Sequence, residues 1–298
     1  MNDLQGKLTL KAKFGRKACS RVLIAALLLS LCYPFQVKAQ DDYYHATFEW
    51  SYKGNDWTWS LDIPQSLYEA YKSVPVSTRV RHQTEGYGFL TTTNDYYLKQ
   101  VAEKLQEAAE QKDYEPYDQV SFVLAFVQSL PYTSDSVTSG YDEYPRFPLE
   151  TLVDDGGDCE DTSILFATLT LIMGYGAVYI NPPEHYAVGV LGDNLQGSYY
   201  TYNDKTYYYC ETTGDGWEIG EIPPDFEHEE AYIYEIKAYQ QYVPDLEVAP
   251  SSTPYQTPTP SPEVPEFPSI LTLPLFMITV AMGTLFVKKW ASKKAIAL

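Results

Sequence analysis

Positive charge is scarce in this chain. It holds 21 Lys and Arg against 40 Asp and Glu, a formal charge of −19 over 298 residues. Seven of those bases, with one acid, lie in residues 1–39 and four more follow Phe267, which leaves 39 acids against 10 bases between them. Phosphate binding needs the opposite sign, so a nucleic-acid partner is excluded. An acidic surface suits a saline exterior or divalent cations, and it also serves solubility alone. Histidine and cysteine are equally sparse, with four of each, and no Asn-x-Ser/Thr acceptor occurs, which excludes N-linked glycosylation. No internal repeat is visible.

The two basic ends read as membrane-targeting segments. Residues 1–39 carry a basic leader, an apolar run from Val22 to Leu31 and Val37-Lys38-Ala39 before a cleavage point, the pattern of a signal peptide. Residues 267–287 are apolar enough and long enough for a transmembrane helix, and the lysines of the tail 288–298 set that end inside and the main body outside. Residues 246–266 are rich in Pro, Ser and Thr and read as an extended stalk. The expected location is therefore the cell membrane, single-pass, with an extracellular domain over residues 40–245. We divide that domain into an N-terminal part, 40–115, and a core, 116–245.

Within the first part, residues 46–63 alternate aromatic and polar residues about Lys53-Gly54-Asn55-Asp56, predicting a hairpin whose aromatic face is core or a sugar- or peptide-binding platform. Helices are predicted over 64–73, over 94–112 with Asn94 as cap, over 117–130, and from Cys159 to Met173 with Asp158 as cap and Asp161 answering it. Residues 134–150 are expected to form a loop walling a substrate site, with Arg146 pairing to Glu150, Asp154 or Asp155. Strands follow at 177–181, 186–191, 199–202 and 207–210, with a further one suggested at 217–219. Helices first and an antiparallel sheet afterwards make the class α+β.

The chemistry centres on Gly156-Gly157-Asp158-Cys159-Glu160-Asp161, where a loop becomes a helix. Free N–H groups at a helix start favour a thiolate and can hold an oxyanion, and the two glycines would let a substrate backbone approach. His185 and Glu211 follow, each 26 residues further on. Thiol, imidazole and carboxylate are the set a thiol acyl-transfer site needs: nucleophile, base, and the acid that fixes the imidazole tautomer. Alternation along the strand puts His185 with Ala187 and Gly189, the small residues expected to face the Cys159 helix. Asp204 is the rival third member, but it stands in an Asn-Asp-Lys turn where Asp is expected anyway. Asp158, Glu160 and Asp161 oppose thiolate formation. A Cys159–Cys210 disulfide remains an alternative, although alternation turns Cys210 away from Glu211. His45, His82 and His228 have no comparable context.

These residues carry two resemblances. Gly-Gly-Asp-Cys-Glu-Asp opening a helix, then His185-Tyr-Ala-Val, then Tyr-Tyr-Cys-Glu211-Thr-Thr, preceded by Pro145-Arg146-Phe147-Pro148, resemble the transglutaminase-like superfamily of papain-related thiol folds over about residues 117–223. The resemblance implies a papain-like core with the nucleophile helix packed on an antiparallel sheet, and Cys159, His185 and Glu211 as catalytic residues. The usual third residue is Asp, so Glu211 departs from the pattern by one methylene. Pro265-Glu266-Phe267-Pro268, the apolar run and the lysines resemble a PEF-type archaeal surface-sorting tail, which implies a cell-surface protein whose tail is open to exchange for another anchor. The expected function is a membrane-anchored thiol enzyme hydrolysing or transferring amide bonds of a peptide or protein substrate at the cell surface. The alternative is a catalytically silent surface-binding module of the same fold. No cofactor is predicted; the carboxylates Asp154, Asp155, Asp158, Glu160 and Asp161 leave Ca²⁺ open without predicting it.

Overall fold

Lys53 and Gly54, with φ of 49° and 72°, form a two-residue turn between β1 (Tyr43–Tyr52) and β2 (Asn55–Pro64). Positive φ at both positions matches the twist of the flanking strands, which is why the predicted four-residue turn tightens to two. Phe48, Trp50, Trp57, Trp59, Leu61 and Ile63 form its buried face. The aromatic face of the hairpin is therefore core, with Trp57 packed edge-on to Phe122 at 4.7 Å and Trp50 to Phe126 at 5.1 Å. The structure, a computed structural model, describes residues 42–237 except 142, together with 241, 242, 244 and 257–261. The signal segment, the apolar run 267–287 and its basic tail lie outside the described residues. Among the described residues no helix is long and apolar enough to cross a membrane.

Helices follow the hairpin: α1 (Gln65–Lys72), α2 (Val76–Arg81), α3 (Tyr96–Glu110), α4 (Pro116–Gln128), α5 (Asp135–Thr138), α6 (Pro148–Val153) and α7 (Cys159–Ile172). The cap of α3 is Asp95 rather than Asn94, its carboxylate accepting from the Leu98 N–H at 2.9 Å. Five antiparallel strands close the fold, β3 (Ala177–Asn181), β4 (Ala187–Leu191), β5 (Tyr199–Tyr202), β6 (Lys205–Cys210) and β7 (Tyr232–Glu235), ordered β5-β6-β4-β3-β7. Residues 217–219 form no strand, and β7 takes the edge beside β3 instead. The architecture is mixed α and β with antiparallel sheets.

One buried cluster runs from the hairpin through α3, α4, α6 and α7 to one face of the sheet, where it takes in Tyr186, Val188, Val190, Tyr208 and Cys210. A smaller cluster on the other face holds Val178, Ile180, Ala187, Tyr207 and Tyr209. This reverses the expected facing of β4. Tyr186, Val188 and Val190 meet the helices, and Ala187 and Gly189 turn away from them. Gly189 is small for the second cluster's sake: a Cβ there would stand 2.9 Å from both Ile180 Cδ1 and Tyr207 Cβ.

The predicted loop at 134–150 is also corrected. It contains α5 and the start of α6, and Tyr144 to Glu150 is buried throughout. Its charges explain why it is core. Arg146 donates to Asp135 at 2.9 Å, Asp161 at 2.5 Å and Asp154 at 3.2 Å, while Glu150 pairs with Arg79 at 2.5 Å, both fully buried. Of the three expected partners of Arg146, only Asp154 is one. The stalk also departs from an unpaired chain where it is described. Thr259 and Pro260 form β8 beside Thr58 and Trp57, and the Ser261 N–H donates to the Asp56 carbonyl at 2.7 Å. Proline-rich backbone is already extended, so it adds to a strand edge at little conformational cost.

Candidate active site

The site is built where α7 begins against the ends of β4 and β6. Asp158 and Asp161 cap α7 reciprocally, side chain to backbone N–H in both directions. The two preceding glycines serve the chain's own packing. Gly156 has φ of 144°, and a Cβ on it would lie 2.5 Å from the Pro131 carbonyl oxygen, while one on Gly157 would collide with the Asp161 side chain. Pro131 and Thr133 hydrogen-bond Gly157 at 3.3 and 2.9 Å, fixing the loop that delivers Cys159.

From α7, Thr162 and Ser163 share hydrogen bonds of 2.9 and 3.0 Å with Thr212, and Ser163 Oγ donates to the Tyr186 carbonyl at 3.2 Å. Residues 186 and 212 are the chain neighbours of His185 and Glu211, so the first turn of α7 is locked to the segments that carry both. His185 lies just before β4, outside the strand alternation, and is therefore free of the facing that Ala187 and Gly189 obey.

His185 Nε2 and Glu211 Oε2 are 2.8 Å apart. Tyr209 Oη donates to the same oxygen at 3.0 Å, and the Thr213 N–H and hydroxyl donate to the other at 3.0 and 2.6 Å. Burial pushes the Glu211 carboxyl up, but the His185 and Thr213 hydrogen bonds outweigh it and hold the group below the usual carboxylate range. With Nε2 engaged, Nδ1 is the ring nitrogen left to act on a neighbour. Phe226 stacks on the imidazole at 4.5 Å with an interplanar angle of 1°, fixing its plane from one side.

The thiol has a different environment. Cys159 Sγ donates to Glu160 Oε2 at 3.0 Å. Burial raises the thiol pKa well above its ordinary value, Glu160 and Asp158 raise it further, and the Tyr186 backbone N–H pulls the other way. The thiol therefore rests as a neutral donor. Cys159 and Cys210 are both free, Cys210 buried in the helix-side core, which sets aside the disulfide alternative.

Oxygens of Asp135, Asp158 and Asp161 lie within 4.8 Å of one another. The Arg146 guanidinium donates to two of the three, so this cluster serves a buried arginine. Asp204 stands in the β5–β6 turn with φ of 60°, a turn role only. His45 pairs with Asp62 and His82 with Glu85, both away from the site. Sequence reasoning missed Tyr209, Thr212, Thr213 and Phe226. The Thr-Thr pair after Glu211 was the available signal, since hydroxyls beside a buried acid commonly satisfy it; nothing near Phe226 marked it.

No family model and no curated protein matches the chain. Among solved structures it is similar to Legionella pneumophila LapG at 17% identity, over 58% of this chain and 84% of that one, with a TM-score of 0.34. It is similar to the calcium-bound form of LapG at 17% identity, over 49% and 93%, with a TM-score of 0.27. It is similar to a TGase at 14% identity, over 70% and 49%, with a TM-score of 0.29. Likenesses of this size do not assign the site.

Proposed function

We propose that this protein is a transglutaminase-like thiol enzyme, extracellular and membrane-anchored, acting on amide bonds of peptide or protein substrates. Cys159 is the nucleophile, His185 the base and Glu211 the residue that holds the imidazole. The observation that carries this reading is the His185–Glu211 hydrogen bond of 2.8 Å, on segments locked to the turn that bears Cys159. In the reaction, imidazole Nδ1 takes the thiol proton as sulfur attacks the carbonyl carbon. N–H groups at the start of α7 receive the oxyanion. The imidazolium then protonates the leaving amine, and water or another amine, deprotonated by the same imidazole, releases the acyl group. Membrane anchoring rests on the sequence alone, and protease shaving of intact cells, releasing the domain, tests it.

A second reading is favoured by one observation: the Cys159 thiol donates to Glu160 and rests neutral. On that reading the fold is kept as a binding module without turnover. Iodoacetamide labelling separates the two, with peptide mapping, in wild type, Cys159→Ala, Cys210→Ala and His185→Ala. The enzyme reading expects label at Cys159, slowed about tenfold or more by His185→Ala. Equal, slow labelling of Cys159 in wild type and His185→Ala would establish the silent module.

A further inference from the structure

A groove of about 800 Å³ runs along the free edge of β1, and none of Cys159, His185 and Glu211 lines it. Its floor is the strand itself from Glu49 to Lys53, and its walls are one stripe of α4 and the loop Asp215–Glu218. Among the described residues β1 pairs with β2 alone. The two-residue turn makes Tyr52 and Asn55 the hydrogen-bonded closing pair, so Trp50 also bonds towards β2 in the alternating ladder. The N–H and C=O groups of Glu49 and Ser51 then point away from β2, along the groove. An open edge in a groove is a template for one more strand.

Charge says what kind of strand. The groove is lined by Glu49, Asp118, Asp215, Glu218 and a single base, Lys53, which pairs with Asp118 at 2.7 Å. Three carboxylates remain with no basic partner among the described residues. Tyr117 and Trp217 add aromatic faces, which attract cations. Gly214 and Gly216, with φ of 77° and 89°, flank Asp215 in backbone geometry that side chains resist.

The groove also abuts the site. Gln128 lines its end, and its Nε2 donates to the carbonyls of Glu211 at 2.8 Å and Trp217 at 3.0 Å. Ser129 lines it too, and Pro131 and Thr133, two and four residues further on, are those that hydrogen-bond Gly157.

We propose that this groove binds an extended peptide segment carrying Lys or Arg, added as a strand on the β1 edge. It recognises the substrate away from the bond attacked at Cys159; that substrate role rests on the thiol-enzyme reading, whereas the binding does not.

The test is fluorescence anisotropy on the full chain carrying Cys159→Ala. The probes are fluorescein-labelled octapeptides of alternating lysine and threonine, of alternating glutamate and threonine, and the lysine peptide N-methylated at alternate amides. We expect the lysine peptide to bind, and the glutamate and N-methylated peptides to bind at least about tenfold more weakly. Asp215→Asn with Glu218→Gln should weaken the lysine peptide roughly tenfold, and Asp193→Asn, at an exposed acid between β4 and β5 that does not line the groove, should not. Glu49→Gln, on the strand itself, supplies the same readout if the double variant does not fold. Equal binding of the acidic and basic peptides, binding indifferent to N-methylation, or groove variants that bind like the control would each overturn the proposal. Iodoacetamide labelling keeps the two readings apart. A reactive Cys159 with no peptide binding sinks the groove alone, and an inert Cys159 with intact peptide binding sinks the enzyme alone.

Discussion

Two adjacent acids in the first turn of α7 meet opposite fates. Asp161 is fully buried and accepts from the Arg146 backbone N–H at 2.6 Å and from its guanidinium at 2.5 Å. Glu160 has no cation among the described residues, and the proton it receives comes from the Cys159 thiol. A carboxylate held by a permanent cation is scaffold, because its charge is spent. One without a cation acts on the nearest proton, and here that proton belongs to the candidate nucleophile. Glu211 falls between them, since its partner is an imidazole whose charge depends on protonation.

The comparison breaks most violently at Arg146. In Arg146→Met the side chain keeps much of its volume, but Asp135 and Asp161 are left buried without their cation. Removing one partner of a buried ion pair costs about 3–5 kcal/mol. Urea denaturation should show a loss of that size, and Asp161→Asn added to the variant should recover part of it. A loss under about 1 kcal/mol would mean that the guanidinium is not what keeps these acids inside.

Glu160 offers the second test. In Glu160→Gln the acceptor remains but its charge goes, so the thiol pKa should fall and labelling of Cys159 near pH 7 should rise about tenfold. The sign on stability is fixed by the same shift. A thiol whose folded pKa is raised contributes stability that is complete below the roughly 8.5 of a free thiol and is lost as pH rises through the folded value. Above about pH 8.5 wild type and Glu160→Gln should therefore lose stability with the same slope, and the loss should level off at a lower pH in the variant, whose folded thiol pKa is lower. Labelling rates that coincide in the two proteins from pH 6 to 10 would show that the carboxylate does not govern the thiol.

What the sequence could show follows the same division. The hairpin, α4, α7 and its Asp158–Asp161 cap were legible because each rests on local pattern: alternation, helical spacing or a capping pair. Cys159, His185 and Glu211 stood out in the sequence by residue type and spacing, and of the three the structure brings His185 and Glu211 into direct contact. The buried arginine network was not, because polar residues at 134–150 look like loop until long-range partners such as Arg79 are known. The facing of β4 failed for a related reason. Alternation gives two faces but not which one meets the helices, and small residues at 187 and 189 fit a tight second cluster as well as a close helix. The strand formed by Thr259 and Pro260 was hidden by composition, since a Pro-rich segment reads as a linker whether or not an edge awaits it.

Glu211 gives the finest of these tests, because its contribution must vanish with acid. Its folded pKa lies below the ordinary carboxylate range, chiefly through His185 and Thr213 acting against burial. The stability it adds is therefore present above the unfolded value of about 4.3 and is lost as pH falls through the folded one. Glu211→Gln removes the titration while keeping the side-chain length. The unfolding free energies of wild type and variant should differ by about 1 kcal/mol near neutrality and converge towards pH 3. A difference that stays constant with pH would mean that shape rather than charge joins the pair. Glu211 would then belong with the scaffold acids, and the imidazole of His185 would lack the charged partner that the proposed thiol chemistry assigns to it.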